Sequence, residues 1–256
     1  MTAVNTAIVT DAHRKQFAEE GYFILERVIP DEHLDILRNA CDYFIADMDR
    51  RMDERGVTTL GITHKGSRYF VGLRYGERPE MRRFLFADYM AEICRATLGD
   101  EVYLFYDQFV WKGPDKGMRF GWHQDSGYVG YPHKPYLTCW CPLVDVNEAN
   151  GTVYVLPYSR AGVRSMVQHI PEPGSNDRVG YFGADPGVPA VIPAGSIVVF
   201  ASVVFHRSGA NTTPNPRPVY VAQYSGEVIA NPTTGRLQGL AEPFLRRGKC
   251  VARQTV

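Results

Sequence analysis

The chain has 256 residues with 28 basic and 28 acidic side chains, so its net charge is zero and no basic stripe marks a nucleic-acid surface. No apolar run approaches the ~20 residues of a membrane span, and the amino terminus lacks the charged start and apolar core of a secretion signal, so we expect a cytoplasmic protein without a membrane partner. The length suits one domain spanning residues 1–256, and the odd count of five cysteines indicates reduced thiols.

The amino-terminal part of the chain shows helix and strand signals in alternation. Thr10 or Asp11 can cap a short helix that ends at Gly21, and residues 22–28 form an apolar run typical of a strand. A longer helix then opens at Pro30, and its apolar stripe predicts packing against a sheet rather than a cofactor-binding face. The stripe consists of Leu34, Leu37, Cys41, Phe44, Ile45, Met48 and Met52.

The remainder of the chain is rich in strand patterns. Residues 79–98 predict a second helical stretch that ends at Gly99, and strand signals follow from Val102 onward. Residues 171–189 hold several glycines and prolines, so we expect a long loop that acts as a lid. Residues 56–74 are expected to form a second mobile wall. Antiparallel strands with helices on one side indicate a mainly β fold with flanking helices, namely the double-stranded β-helix or jelly roll that cupins also use.

The triplet His123-Gln124-Asp125 has the residue types and the spacing of a metal site. Residues i and i+2 of a strand point to the same side, so His123 and Asp125 would converge while Gln124 faces away. Two imidazoles and one carboxylate can occupy one face of an octahedral ferrous ion and leave three positions open. A His-x-Asp triplet alone is common, so this interpretation needs a second histidine, and His206 is the candidate.

His206 closes an extended run at residues 195–206, which a polar turn at 209–216 connects to a second extended run at 217–224. We interpret the two runs as antiparallel strands joined by a loop, which would bring His206 close to Arg217. Arg217 could then reach into the metal pocket, where its planar guanidinium would suit a carboxylate.

Together these residues resemble the phytanoyl-CoA dioxygenase family of iron(II)- and 2-oxoglutarate-dependent oxygenases. The run from Trp122 to Asp125 resembles the family's first metal motif, and His206-Arg207-Ser208 followed by Arg217 resembles its closing motif. Arg160 departs from the family pattern, which often has a histidine there, but this position is not a metal ligand. Looser similarity covers most of the chain, in residues 17–25, 28–34, 137–146, 150–151 and 155–159.

The resemblance implies a jelly roll with an iron centre and a cosubstrate site. Iron(II) would bind His123, Asp125 and His206, with 2-oxoglutarate and dioxygen as cosubstrates, and Arg217 would hold the far carboxylate of 2-oxoglutarate. Lys65 or Arg68 matches a basic contact of some relatives, and the spacing does not choose between them. The remaining positions implied for the cosubstrate site are Gln108, Thr138 as a hydroxyl donor, Trp140 and Ser208.

The implied reaction is the oxidation of an unactivated C–H bond of a small molecule, with decarboxylation of 2-oxoglutarate to succinate. Hydroxylation is the first expectation, while desaturation, epoxidation and ring closure stay open. No CoA- or phosphate-binding motif is visible, which favours a small natural-product-like substrate. Candidate wall residues of its pocket are Phe70, Tyr75, Phe120, Tyr128, Tyr131, Tyr136 and Tyr181.

Two other classes of protein fit the same fold. A cupin-like metalloenzyme that does not use 2-oxoglutarate would keep the three ligands without needing Arg217. A non-catalytic jelly-roll binding module would make the three ligands a coincidence. The oligomeric state is left open.

Overall fold

The structure, a computed structural model, describes residues 7–115, 117–173 and 176–252. Single turns of 3-10 helix lie at Tyr75–Glu77, Pro79–Met81 and Asp125–Tyr128. The α-helices are α1 (Asp11–Glu20), α2 (Asp31–Glu54), α3 (Arg82–Leu85), α4 (Asp88–Thr97) and α5 (Tyr158–Ala161).

Helix α1 has the limits that its capping residues predict. The Thr10 hydroxyl accepts a hydrogen bond from the His13 backbone N–H, and Gly21 ends the helix with φ of 81°. A side chain at Gly21 would also meet Tyr158 and Val204, because a Cβ there would lie 2.5 Å from each of them. The chain can therefore turn from α1 into the first strand only with glycine at this position.

The predicted apolar stripe of α2 is confirmed, and the predicted helix over residues 79–98 is confirmed in part. The stripe on α2 is buried or partly buried against the sheet, as the spacing predicts. The predicted helix over residues 79–98 is instead divided into a 3-10 turn, α3 and α4, with the break at Phe86 and Ala87. Both residues of the break are buried, so tertiary packing rather than a proline or glycine ends α3.

The β-strands form two main sheets. They are β1 (Tyr22–Leu25), β2 (Thr59–Leu60), β3 (Thr63–His64), β4 (Arg68–Gly72), β5 (Val102–Lys112), β6 (Phe120–His123), β7 (Leu137–Pro142), β8 (Val153–Leu156), β9 (Ile170–Pro171), β10 (Arg178–Val179), β11 (Val188–Pro189), β12 (Ile197–Ala201), β13 (Phe205–Ser208), β14 (Arg217–Ser225), β15 (Glu242–Arg246) and β16 (Lys249–Cys250). The larger sheet is antiparallel and has the strand order β1-β12-β7-β14-β5-β4-β3-β2, with β15 also on β5 and β16 on β15. The first of its strands, β1, ends three residues before the predicted limit of 28.

The smaller sheet is also antiparallel and has the order β11-β8-β13-β6. Side chains bridge the two sheets, because the Lys112 ammonium on β5 of the larger sheet donates to the Ser208 hydroxyl on β13 of the smaller sheet, at 2.8 Å. Two antiparallel sheets that face each other around a shared interior form the predicted jelly roll, with α2, α3 and α4 on the outer face of the larger sheet.

Strand β7 shows how the layers are divided. Cys139 and Cys141 point outward into the cluster that the sheet forms with α2 and α4, while Trp140 points inward to the shared interior. This is the alternation that the sequence predicts. All five cysteines are unpaired, as expected, and only Cys250 is exposed.

The structure corrects the predicted hairpin between residues 195–206 and 217–224. The first run is split into β12, which belongs to the larger sheet, and β13, which belongs to the smaller one. Strand β14 pairs with β5 and β7, not with β13. His206 and Arg217 therefore lie on opposite sheets, and they approach each other only through the interior.

The two segments expected to be irregular contain short strands. Strands β2, β3 and β4 attach residues 59–72 to the edge of the larger sheet, so the predicted second wall is sheet structure. Residues 171–189 hold part of the β9–β10 ladder and the edge strand β11. Over the described residues, no helix is both long enough and apolar enough to span a membrane.

Candidate metal centre

The centre begins with a cross-strand pair of histidines. Strands β6 and β13 are neighbours, and their register places His123 directly opposite His206. Asp125 lies two residues beyond His123, at the start of the 3-10 turn that follows β6. Asp125 Oδ1 is 3.8 Å from His123 Nε2 and 3.5 Å from His206 Nε2. Among the described residues, these three form the one group of potential metal ligands whose donor atoms all lie within 4.8 Å of one another.

Backbone carbonyls orient both imidazoles. His123 Nδ1 is 2.8 Å from the Gly121 carbonyl oxygen, and His206 Nδ1 is 3.1 Å from the Val204 carbonyl oxygen. A carbonyl can only accept, so each Nδ1 carries the proton and each Nε2 presents its lone pair toward Asp125. This tautomer is the one that a metal bound at Nε2 requires.

The protonation states also suit a metal. Burial, reinforced by the neighbouring His206, lowers the pKa of His123 to about 3, so its imidazole is neutral at physiological pH. Burial opposes the charge on Asp125, but the positive charge that His206 and His123 carry when they are protonated, together with the hydroxyl of Thr138, outweighs it and holds the pKa of Asp125 at about 2. Neutral imidazoles and an ionised carboxylate are the forms that bind a divalent cation.

Gln124 faces away from the centre, as predicted. Its amide Nε2 donates to the carbonyl oxygens of Ser165 and Val203, and its Oε1 accepts from the Val167 backbone N–H. These bonds tie the metal-ligand segment to two other parts of the chain. Gln124 therefore helps to fix the position of Asp125 without contacting the metal site.

The second oxygen of Asp125 is held by two donors. The Thr138 hydroxyl donates to Oδ2 at 2.6 Å, and Gln223 Nε2 donates to the same oxygen at 2.9 Å. Thr138 was predicted to donate to 2-oxoglutarate, but its single hydroxyl proton is directed to Asp125 instead. Gln223 was assigned no role from the sequence. Its signal was a polar side chain on the face of β14 that also carries Arg217, Val219 and Val221.

Two chambers meet at the metal centre and share Phe70, Gln108, Phe120, His123 and Asp125. The first, called the Trp140 chamber, brings together four residues that the sequence predicts for the cosubstrate. They are Gln108, Thr138, Trp140 and Ser208. The second, called the Tyr136 chamber, is largely aromatic. It is lined by Ile62, Phe70, Phe105, Tyr106, Gln108, Phe120, His123, Asp125, Tyr128, Val129, Tyr136, Gln223 and Gln238.

Of the seven aromatic residues predicted as pocket walls, four line the Tyr136 chamber. These are Phe70, Phe120, Tyr128 and Tyr136. The other three lie elsewhere: the Tyr75 hydroxyl bonds to Glu242, the Tyr131 hydroxyl bonds to Gln238, and the Tyr181 ring packs on Trp122.

Arg217 is buried beside the Trp140 chamber. Its guanidinium lies over the Trp140 ring, 5.7 Å from the ring centroid. One nitrogen makes a long bond of 3.4 Å to the Val110 carbonyl, and within the described part of the chain Nε and Nη2 have no hydrogen-bond partner. Burial lowers the pKa of Arg217 to about 9, which leaves it charged at neutral pH. A buried cation with two unpaired N–H donors fits an anionic ligand.

Lys112 is a second basic residue of this region, and it is absent from the predicted site residues. It lies between Arg68 and Arg217 in the sheet register and donates to the Ser208 hydroxyl and to the Gly209 carbonyl. Burial, followed by the charges of Arg217 and Arg68, lowers the pKa of Lys112 well below its usual value. An anion beside Arg68, Lys112 and Arg217 would offset their mutual repulsion, so these three side chains suit an anionic ligand. The signal in the sequence was a lysine on the inward face of β5.

Lys65 and Arg68, the two alternatives for a basic contact, are both engaged elsewhere. Arg68 is fully buried and makes a two-pronged ion pair with Asp177, at 2.7 and 2.8 Å. Lys65 pairs with Asp53 of helix α2. The structure therefore brings Lys112, and neither of these two, to Ser208 at the end of the Trp140 chamber.

Comparison with known proteins supports a site for iron(II) and 2-oxoglutarate in this chain. A family model described as Phytanoyl-CoA dioxygenase (PhyH) matches residues 17–219. An ectoine dioxygenase of Bordetella parapertussis is 28% identical over 237 residues, covering 85% of this chain and 76% of the relative, and an ectoine dioxygenase of Sphingopyxis alaskensis is 26% identical over 278 residues, covering 97% and 86%. The crystal structure of EctD from S. alaskensis with 2-oxoglutarate and 5-hydroxyectoine superposes with a TM-score of 0.66 at 21% identity, covering 98% of this chain and 87% of that one.

The family match covers most of the chain, including all three candidate metal ligands and Arg217. It confirms the resemblance drawn from the sequence and sets aside both the cupin-like enzyme without 2-oxoglutarate and the non-catalytic binding module. The chain belongs to the phytanoyl-CoA dioxygenase family and is an iron(II)- and 2-oxoglutarate-dependent dioxygenase.

Proposed function

We propose that this enzyme hydroxylates an unactivated C–H bond of a small, natural-product-like molecule, with iron held by His123, Asp125 and His206. The observation that carries the cosubstrate assignment is the buried guanidinium of Arg217, which has two N–H donors without partners beside the Trp140 chamber. Iron(II), when bound, allows dioxygen to oxidise the substrate while 2-oxoglutarate is decarboxylated to succinate.

The residues around the Trp140 chamber would each make a different contact with 2-oxoglutarate. Arg217 would hold the far carboxylate with its two unpaired donors. Ser208 accepts a hydrogen bond from Lys112, so its own hydroxyl proton remains available for the same carboxylate. Trp140 forms a flat wall, and Gln108 lies where the two chambers join. These roles keep four of the five predicted cosubstrate residues, with Lys112 added and Thr138 bonded to Asp125 instead.

The Tyr136 chamber would bind the substrate. Its aromatic rings exclude water from the space next to the metal, and three amides, those of Gln108, Gln223 and Gln238, supply its hydrogen-bonding groups besides the tyrosines. None of its thirteen lining residues is a lysine or an arginine. We therefore propose that the part of the substrate that enters this chamber carries no carboxylate or phosphate, because a buried anion would meet no lysine or arginine there.

The proposal also includes two expectations from the sequence, a single domain and a cytoplasmic location. One domain over residues 1–256 agrees with the continuous sheet order, in which β1 and β15 share a sheet. A cytoplasmic location agrees with five unpaired cysteines.

The substrate is a small molecule. Ectoine is the first compound to assay, because two of the similar proteins are named ectoine dioxygenase.

The experiment has two stages. Anaerobic titration with iron(II) and 2-oxoglutarate should produce the weak visible charge-transfer band of the chelate, and His206→Ala should lose it. A library of small molecules that includes ectoine is then screened under air for succinate formation, and products are analysed by mass spectrometry under labelled dioxygen. We expect one labelled oxygen atom per product. Absence of the band in the unmodified protein would contradict the site, and a product that has only lost two hydrogens would replace hydroxylation with desaturation.

A further inference from the structure

Gln223 lies on β14 and hydrogen-bonds to the candidate metal ligand Asp125, and no role has been given to it so far. Its side chain is 5% exposed and lines the Tyr136 chamber. Its Nε2 lies 2.9 Å from Asp125 Oδ2 and 3.0 Å from the Thr138 hydroxyl oxygen. The Thr138 hydroxyl lies 2.6 Å from the same Oδ2. Asp125, Thr138 and Gln223 therefore form a closed triangle of hydrogen bonds.

The chemistry of the three groups fixes the direction of every bond. An ionised carboxylate can only accept, so Thr138 uses its one proton on Asp125. The Thr138 oxygen is then free to accept, and the only donors of Gln223 are the two hydrogens on Nε2. One of them goes to Asp125 and the other to Thr138. The amide orientation is therefore determined, with Nε2 toward the carboxylate.

The triangle acts on one oxygen of the carboxylate only. Oδ2 accepts two hydrogen bonds, while Oδ1 faces His206 Nε2 at 3.5 Å and His123 Nε2 at 3.8 Å. We propose that Gln223 is a positioning residue, which acts together with Thr138 to make Asp125 bind the metal through Oδ1 alone. This inference rests on the proposed metal centre. It assigns Gln223 a role on the metal ligand, besides any contact with substrate.

The expected size of the effect follows from other metal sites. Groups that hydrogen-bond to a metal ligand typically change metal affinity by about 10- to 100-fold when they are removed. In the Gln223→Met variant the side chain keeps a similar length and loses both donors. In the Thr138→Val variant the shape of the side chain is kept and the hydroxyl is lost. Each variant should bind the metal about tenfold or more weakly than the unmodified protein.

The test uses cobalt(II) as the probe, since its visible absorption reports coordination number without any turnover. We expect both variants to show weaker cobalt(II) binding, because the carboxylate is no longer held in position. We also expect a changed visible spectrum, because a released Oδ2 allows the carboxylate to bind through two oxygens. The Thr138→Ser variant keeps the hydroxyl and should restore the affinity and the spectrum. Gln238→Met is the matched control, because Gln238 lines the same chamber and does not contact Asp125. Its cobalt(II) affinity should stay at the unmodified value.

The outcomes separate this inference from the proposed metal centre. If the unmodified protein binds cobalt(II) no better than His123→Ala, the metal centre itself is wrong. If the unmodified protein binds and Gln223→Met and Thr138→Val keep its affinity and spectrum, only the role of the triangle is overturned. An equal loss in Gln238→Met would also overturn it, because the loss would then come from a disturbed chamber. Melting temperatures identify a variant that fails to fold, and the other variant then decides the question.

Discussion

Replacing Arg217 by methionine should weaken the binding of 2-oxoglutarate without lowering the stability of the protein. Methionine fills much of the same volume without burying a charge. A buried donor without a partner costs about 1–3 kcal/mol, and Arg217 has two such nitrogens, Nε and Nη2. The interactions lost are one long hydrogen bond and the contact with Trp140, worth about 1–3 kcal/mol together. Without 2-oxoglutarate, the variant should therefore be as stable as the unmodified protein or more stable.

The same substitution should remove most of the stabilisation by 2-oxoglutarate. Two hydrogen bonds between charged groups at about 1.5 kcal/mol each correspond to a loss of affinity of about 100-fold. At a 2-oxoglutarate concentration 100 times the dissociation constant, binding stabilises the unmodified protein by about 2.7 kcal/mol. At the same concentration the variant would gain only about 0.4 kcal/mol. Thermal unfolding of the zinc(II)-loaded protein, with and without 2-oxoglutarate, measures both quantities.

Arg68 provides the matched control, because it is an equally buried arginine of the same sheet, on the other side of β5, and already has a carboxylate partner. Arg68→Met leaves Asp177 buried without its cation, which should cost about 3–5 kcal/mol. The two substitutions should therefore change stability in opposite directions. If Arg217→Met destabilises the protein as much as Arg68→Met does and keeps the full response to 2-oxoglutarate, the assignment of Arg217 is wrong.

Three further predictions concern the metal, the lid and the response to pH. His123→Ala or His206→Ala should abolish turnover and iron binding with little loss of secondary structure by circular dichroism, and an active variant would contradict the ligand assignment. Asp177→Asn should speed hydrogen exchange in residues 176–183, since this part of the segment predicted to be a lid loses its ion pair with Arg68, and unchanged exchange would show that other contacts hold it. Burial raises the pKa of Asp107 to about 7, so the free energy of unfolding should fall as pH rises from about 4 to about 7. Urea unfolding at pH 5 and pH 8 should show that Asp107→Asn removes this slope, and an equal slope in both proteins would contradict it.

Local signals in the sequence were sufficient for some parts of the fold. The limits of α1 follow from the cap at Thr10 and the glycine at position 21, and both act within the helix itself. The division of β7 into an inward Trp140 and two outward cysteines follows from strand alternation alone. The pairing of His123 with Asp125 has nearly the same basis, because Gln124 between them is extended, although Asp125 already begins a 3-10 turn.

The break between β12 and β13 could not be predicted in this way. Residues 195–206 are rich in β-branched and aromatic side chains and contain neither glycine nor proline after position 195. The chain turns at Ser202, whose hydroxyl contacts the Ser126 hydroxyl at 2.8 Å and accepts from the Tyr136 backbone N–H at 2.9 Å. These partners lie 76 and 66 residues away along the chain. The corner is thus made by tertiary hydrogen bonds, which local sequence does not display.

Arg217 illustrates how a correct residue can be predicted through an incorrect contact. The prediction placed it near His206 across a hairpin, yet β13 and β14 lie in different sheets. Both residues nevertheless face the same interior, because each sheet of a jelly roll turns one face inward. The bond from Lys112 to Ser208 marks where the two inner faces meet. The interval between His206 and Arg217 therefore measures the length of chain needed to cross from one sheet to the other. A change in that interval should be tolerated only if both strand registers are kept, which is a stricter condition than proximity across a turn.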